Sequence, residues 1–252
     1  MAALLRQTDR RCMLIIAGDS HSRQFQREAP GAWGFFSFSG ATIKGLFSAT
    51  SLLRHGETIK HLAAAPFQKQ MFVMLGGVDL DVTFYRNLAF GRMGDERAFF
   101  EERAAIYSRY IEFLLWAAGD HVEHICVLAP QLTPLRDEVF VGATARMAKI
   151  DEEDLRRVGR NVDCSHRARC IRQRVFNDTL QGAFTASEKM SFHRIDNDMT
   201  SDGELIADAF CRRNEWDHHA DPKATLPLWE DRLQDHVPRF KKAVRRRAAT
   251  GA

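Results

Sequence analysis

Met13-Leu14-Ile15-Ile16-Ala17 runs directly into Gly18-Asp19-Ser20-His21. Five consecutive apolar residues closed by a glycine fit a strand covered on both faces, as in a parallel sheet, better than an amphipathic helix. The same grammar recurs twice. Met71-Phe-Val-Met-Leu75 is closed by Gly76-Gly77-Val78-Asp79, and Ile125-Cys-Val-Leu-Ala129 by Pro130. Weaker strand signals lie at Phe35–Ser39, where Phe and Ser alternate, and at Ser191–Ile195.

Between these runs the pattern turns helical. Helices are predicted over Ala41–Leu53, His55–Ala65, Asp95–Ala118 and Cys164–Phe184, the third from its apolar positions Phe99, Phe100, Ala104, Ile106, Tyr110, Phe113 and Leu114. Strands alternating with helices predict an α/β fold with an open, mostly parallel sheet. The charged stretch 136–162 breaks the alternation and is expected to be a helical insertion or lid over the sheet edge. One domain over residues 1–238 and a basic tail over 239–252 complete the expected organisation.

The 252 residues hold 36 Lys and Arg against 33 Asp and Glu. Six of the basic residues (Arg239, Lys241, Lys242, Arg245, Arg246, Arg247) follow the last acid, Asp235, so the body of the chain is mildly acidic. That argues against a nucleic-acid-binding body. No run approaches the ~18 apolar residues that a membrane-spanning helix needs. The apolar run after Arg10 and Arg11 is too short for a signal-peptide core, so a cytoplasmic location is expected. Five scattered cysteines (Cys12, Cys126, Cys164, Cys170, Cys211) suit reduced thiols. Cys164, His166 and Cys170 lack the spacing of a zinc site, so neither metal nor cofactor is expected.

In an open α/β sheet the ligand lies beyond the carboxyl ends of the strands. A serine on the turn after the first strand is presented there, and Ser20 is therefore the candidate nucleophile. A hydroxyl needs a base to remove its proton. Trp216-Asp-His-His-Ala-Asp221 supplies His219 or His218, with Asp217 to hold the imidazole tautomer. Donors for a developing oxyanion are sought at Gly40 and at Gly76-Gly77. Asp79 and Asp81 are placed to orient a substrate or bind a metal, unless they serve as caps or solvated loop carboxylates. His21 could line the pocket or sit exposed at a helix start. Lys44 could attract an anionic substrate such as a phosphorylated or acidic sugar, unless it is an ordinary surface lysine, and Phe84, Tyr85 and Arg86 could wall the cleft.

This order of segments resembles the SGNH, or GDSL-like, hydrolase superfamily. Gly18-Asp19-Ser20 matches its first motif, Ser39-Gly40 its second, Gly76-Gly77-Val78-Asp79 its third and Asp217 with His219 its fourth. The resemblance implies a flavodoxin-like three-layer α/β/α sandwich and a Ser20-His219-Asp217 triad. It also implies Gly40 and the 76–79 turn as oxyanion or substrate-binding elements, and a small-molecule or carbohydrate ester as partner. The activity so implied is ester hydrolysis. Acyl transfer to a hydroxyl in polysaccharide modification, or ligand binding without turnover, are the alternatives. Two departures stand out. Val78 occupies the place of the family's oxyanion asparagine, and Asp217 stands two residues before His219 where the motif has three. Glu215 with His218 keeps the motif spacing and leaves His218 open as the base.

Overall fold

The structure, a computed structural model, describes residues 13–28, 33–184 and 187–237. All five expected strands form: β1 (Met13–Gly18), β2 (Trp33–Ser37), β3 (Lys69–Met74), β4 (Val122–Leu128) and β5 (Met190–His193). They make one sheet in the order β2-β1-β3-β4-β5 with every neighbouring pair parallel.

Strand alternation builds two cores from the same runs. Ile15, Ala17, Met71, Val73, Ile125 and Val127 face one side. They are covered by Ile59 of α1 (His55–Ala64), Tyr107, Ile111 and Leu114 of α3 (Glu96–Ala118), and Phe176 and Leu180 of α6 (His166–Ala183). Leu14, Ile16, Phe72, Met74, Cys126 and Leu128 face the other side. Phe25, from a 3-10 helix over Ser20–Glu28, covers them with Trp229 and Leu233 of α7 (Pro222–Leu233). Each Val, Leu, Ile, Phe or Met side chain so removed from water contributes about 1.5–3 kcal/mol. Two apolar faces need two covering layers, and the result is the three-layer α/β/α sandwich.

The long helices start where their caps dictate. Asp95 accepts from the backbone N–H of Arg97 and Ala98 at α3, Ser165 from Ala168 at α6, and Asp221 from Lys223 at α7, where Pro222 fills the first turn.

The helix expected over Ala41–Leu53 shrinks to a 3-10 turn, Ile43–Phe47. Thr42 Oγ1 takes the Gly45 N–H, and the serines and threonine that follow compete with helical hydrogen bonding. A Cβ on Gly45 would lie 2.6 Å from the His55 ring, and one on Gly56 1.9 Å from the Leu46 carbonyl oxygen. The turn is thereby seated tightly on the start of α1. The 136–162 segment forms α4 (Asp137–Ala148) and α5 (Glu152–Val158). They pack on α2 (Phe84–Ala89) and on the turn Asp79–Thr83, beyond the carboxyl end of β3, with Val139, Phe140 and Leu155 in the core. Among the described residues no helix is long and apolar enough to cross a membrane. The basic tail lies outside them.

The chain leaves β1 for β2 on one side and later places β3 on the other. That reversal opens a crevice at the carboxyl ends of β1 and β3, where ligands bind in folds of this order.

Candidate active site

Gly18 ends β1 against β3: a Cβ there would stand 2.3 Å from the Met74 carbonyl oxygen. Asp19 follows and is fully buried. One carboxylate oxygen accepts from His21 N–H (2.9 Å) and contacts His21 Nδ1 (3.1 Å), while the other accepts from Gly77 N–H (3.1 Å). Asp19 thus ties the turn after β1 to the turn after β3, and it leaves Ser20 at the first position of the 3-10 helix, facing the crevice.

The turn after β3 carries two carboxylates with different duties. Asp79, fully buried, accepts from Ile43 N–H (2.8 Å) and from Nε of buried Arg103 (3.0 Å). It fixes the loop that carries Gly40 and does not line the cavity. Asp81 Oδ1 accepts from Gln173 Nε2 (3.0 Å). Its Oδ2 meets His218 Nδ1 at 2.9 Å and His21 Nε2 at 3.5 Å.

The late loop delivers two histidines. Asp217 Oδ1 lies 2.5 Å from His219 Nδ1 and also accepts the His219 backbone N–H at 3.0 Å. Arg212 binds the other oxygen of Asp217 at 2.5 Å and reaches the Ala220 carbonyl with Nε. Gln24 Oε1 accepts from Gln131 Nε2 (2.8 Å) and from Thr225 Oγ1 (2.9 Å). This joins the 3-10 helix, the loop after β4 and α7, and so sets the late loop against Ser20. The His21, His218 and His219 rings have centroids 4.0–5.0 Å apart.

Burial opposes charge on His21, yet Asp19 and Asp81 outweigh it and raise its pKa to about 10. Asp81 answers in kind: hydrogen bonds from His21 and His218 overcome its burial and bring it to about 2. Burial pushes His219 down to about 4, with the neighbouring His21 and His218 adding to the effect against Asp217. Asp217, although half buried, is held well below the usual carboxylate range by His219 and Arg212. Burial lifts Asp79 to about 6, tempered by Ile43 N–H and Arg103. The site therefore holds one imidazolium, His21, and one neutral imidazole, His219, whose Nε2 is buried without a hydrogen-bond partner.

Ser20, Gly40, Val78, His218 and His219 line one cavity of about 670 Å³. Ser20, His21, Asp217 and His219 also line a smaller one of about 170 Å³. Gly40 has φ +81, a conformation that favours glycine. The Ser20 and Gly40 N–H groups donate to no described residue. Gly77 N–H is engaged by Asp19 and is not a free donor. His21 is buried and is not an exposed helix-start residue. Its ring packs so closely on Gly77 that the glycine has a reason no turn rule supplies. The partner of His218 is Asp81, not Glu215, which is exposed. Lys44 pairs with Glu102, and Phe84 and Tyr85 belong to the core, away from the cavity. No hydrogen bond joins Ser20 to His219.

The His21, His218 and His219 nitrogens come within 4.8 Å of one another, close to the spacing of metal ligands. A ligand must offer a lone pair, however, and both His21 nitrogens face carboxylates as donors. His124, Cys126 and His236 form a second such group on β4 and after α7, where Ser191 Oγ already contacts His124 Nε2 at 2.7 Å.

Comparison with protein-family models gives no match, and comparison with curated proteins gives none. Among solved structures the chain is similar to one from Streptococcus pneumoniae provisionally described as a platelet activating factor. The identity is 12% and the TM-score 0.52, covering 92% of this chain and 86% of that one. A Bacillus subtilis protein aligns at 9% identity with a TM-score of 0.35, over 89% of this chain and 56% of its own length. The first likeness shows a shared fold.

Proposed function

We propose that this protein is a serine-dependent ester hydrolase, with Ser20 as nucleophile, His219 as general base and Asp217 as the group that orients it. The observation that carries the reading is the Asp217–His219 pair: a neutral imidazole, its Nδ1 held by a carboxylate, with an unpartnered Nε2 in the wall of the cavity that Ser20 enters. Apo sites commonly hold nucleophile and base apart until substrate binds. With substrate bound, His219 Nε2 takes the proton of Ser20 Oγ as Oγ attacks the ester carbonyl carbon. The N–H groups of Ser20 and Gly40 receive the oxyanion. Collapse expels the alcohol, which recovers the proton from His219. Water, deprotonated by the same nitrogen, then releases the acid and restores Ser20. The order of the four motifs, like that of SGNH hydrolases, supports this assignment, as does the shared fold.

Val78 and the open Ser20–His219 gap favour a second reading, a ligand-binding protein without turnover. A serine-reactive fluorophosphonate separates the two. Hydrolase chemistry gives one adduct on Ser20, found by peptide mapping and lost in His219→Ala. Absence of labelling in folded protein discards the nucleophile.

A further inference from the structure

Resting on that reading, we infer that the ester this site takes carries an anionic group, a phosphate, bound by Arg23, Arg86, Arg92 and Lys149 in the cavity that Ser20 and His219 line. All four line the same cavity as Ser20, and no carboxylate lines it. They come from separate places: the 3-10 helix after β1, α2, the loop after α2 and the end of α4. None of the four forms an ion pair with a described residue, and Arg23 donates to Ser39 Oγ (2.5 Å), itself in the cavity lining. Three other arginines near the site are engaged by carboxylates: Arg103 by Asp79, Arg172 by Glu96 and Arg212 by Asp217.

Two further observations point the same way. Arg86 and Arg92 both lie over the Phe90 ring, at 5.9 and 5.0 Å from its centroid. One ring therefore carries two like charges, neither of them paired with a described carboxylate, and an anion in the cavity they line would be attracted by both. Lys149 closes α4 at φ 54 and ψ 52, a left-handed position normally given to glycine or asparagine. A lysine kept in a strained conformation beside a cavity is better explained by its charge than by its backbone. Guanidinium groups present several N–H donors in a plane and match the oxygens of a phosphate, and the lysine adds a point charge. The carboxylates of the site, Asp19, Asp81 and Asp217, are each hydrogen-bonded by histidine or arginine, and none of them lines this cavity.

The test separates binding from turnover by using the Ser20→Ala protein and calorimetric titration with glucose 6-phosphate and with glucose. The expected result is binding of the phosphate alone, weakening as NaCl is raised, because exposed charges are screened over about 8 Å at 0.15 M salt. Arg86→Ala with Arg92→Ala weakens it roughly tenfold, at about two- to fivefold for each exposed charge contact. Arg86→Lys with Arg92→Lys retains most of it, which guards against a folding defect, checked by the melting temperature. Equal binding of glucose and its phosphate, binding insensitive to salt and to the alanine pair, or no binding of either overturns the inference. Phosphate binding in a protein that neither labels with fluorophosphonate nor cleaves any ester leaves the anion site standing and removes the hydrolase reading.

Discussion

The imidazole of His21 occupies the space a side chain at position 77 would need: a Cβ built on Gly77 stands 2.2 Å from His21 Nδ1. Because Asp19 and Asp81 hold that ring from both ends, it cannot swing away cheaply. Gly77→Ala is expected to destabilise the protein by about 1–3 kcal/mol in urea unfolding. The cost falls in a His21→Ala background, where the clash is gone, so the two substitutions are non-additive. Additive effects would show that the ring and the glycine do not compete.

Stability is expected to depend on pH through His21. Its folded pKa is raised from 6.5 to about 10, so the folded state holds a proton that the unfolded chain gives up between those values. The contribution is full below 6.5 and lost as pH rises toward about 10. Melting temperature measured from pH 7 to 10 should fall, and His21→Gln should flatten that slope. An unchanged slope assigns the dependence to other groups.

Asp217→Asn leaves a hydrogen bond to His219 but holds the wrong tautomer. By analogy with other Ser-His-Asp sites it should lower fluorophosphonate reactivity or ester turnover by roughly 10³–10⁴-fold with little change in melting temperature. Asp81→Asn releases His218 instead and tests the rival base in the same assay. A larger loss from Asp81→Asn than from Asp217→Asn transfers the role of base to His218.

Val78 lines the cavity beside Ser20 and offers no donor. Val78→Asn places an amide where one is missing, and kcat on an activated acetyl ester is expected to rise by up to about 10²-fold. No rise, with the fold intact, means that the N–H groups of Ser20 and Gly40 already suffice or that turnover is limited elsewhere.

Asp79→Ala removes the buried partner of Arg103 Nε and the anchor of Ile43 N–H. The expected loss is about 3–5 kcal/mol in denaturant unfolding, the usual consequence of leaving a buried charge without its mate. Retention of stability would mean that Glu102, which also contacts Arg103, can neutralise it alone.

The strands were legible because buried parallel strands are written as uninterrupted apolar runs, and the three strongest runs lead to the turns where the site gathers. That Ser20, Gly40 and His219 come to one cavity was foreseeable for the same reason, each lying just past a strand or within a short polar loop. Less was visible where the partner is remote. Asp81 and His218 meet across 137 positions, and no spacing rule links them. From sequence His21 reads equally as a pocket residue or an exposed helix start, because burial between two carboxylates is a tertiary fact. The Ala41–Leu53 segment has helical periodicity, but Thr42 and the packing of Gly45 and Gly56 override it.

The Gln24–Thr225 hydrogen bond spans 201 positions of the chain. Ser20 and His219 are therefore brought to one cavity only once α7 has docked on a finished sheet, a late event for so distant a contact. Reactivity at Ser20 would then act as a clock for maturation: during refolding, labelling should lag behind the recovery of helical signal, and partly assembled chains should carry an inert serine.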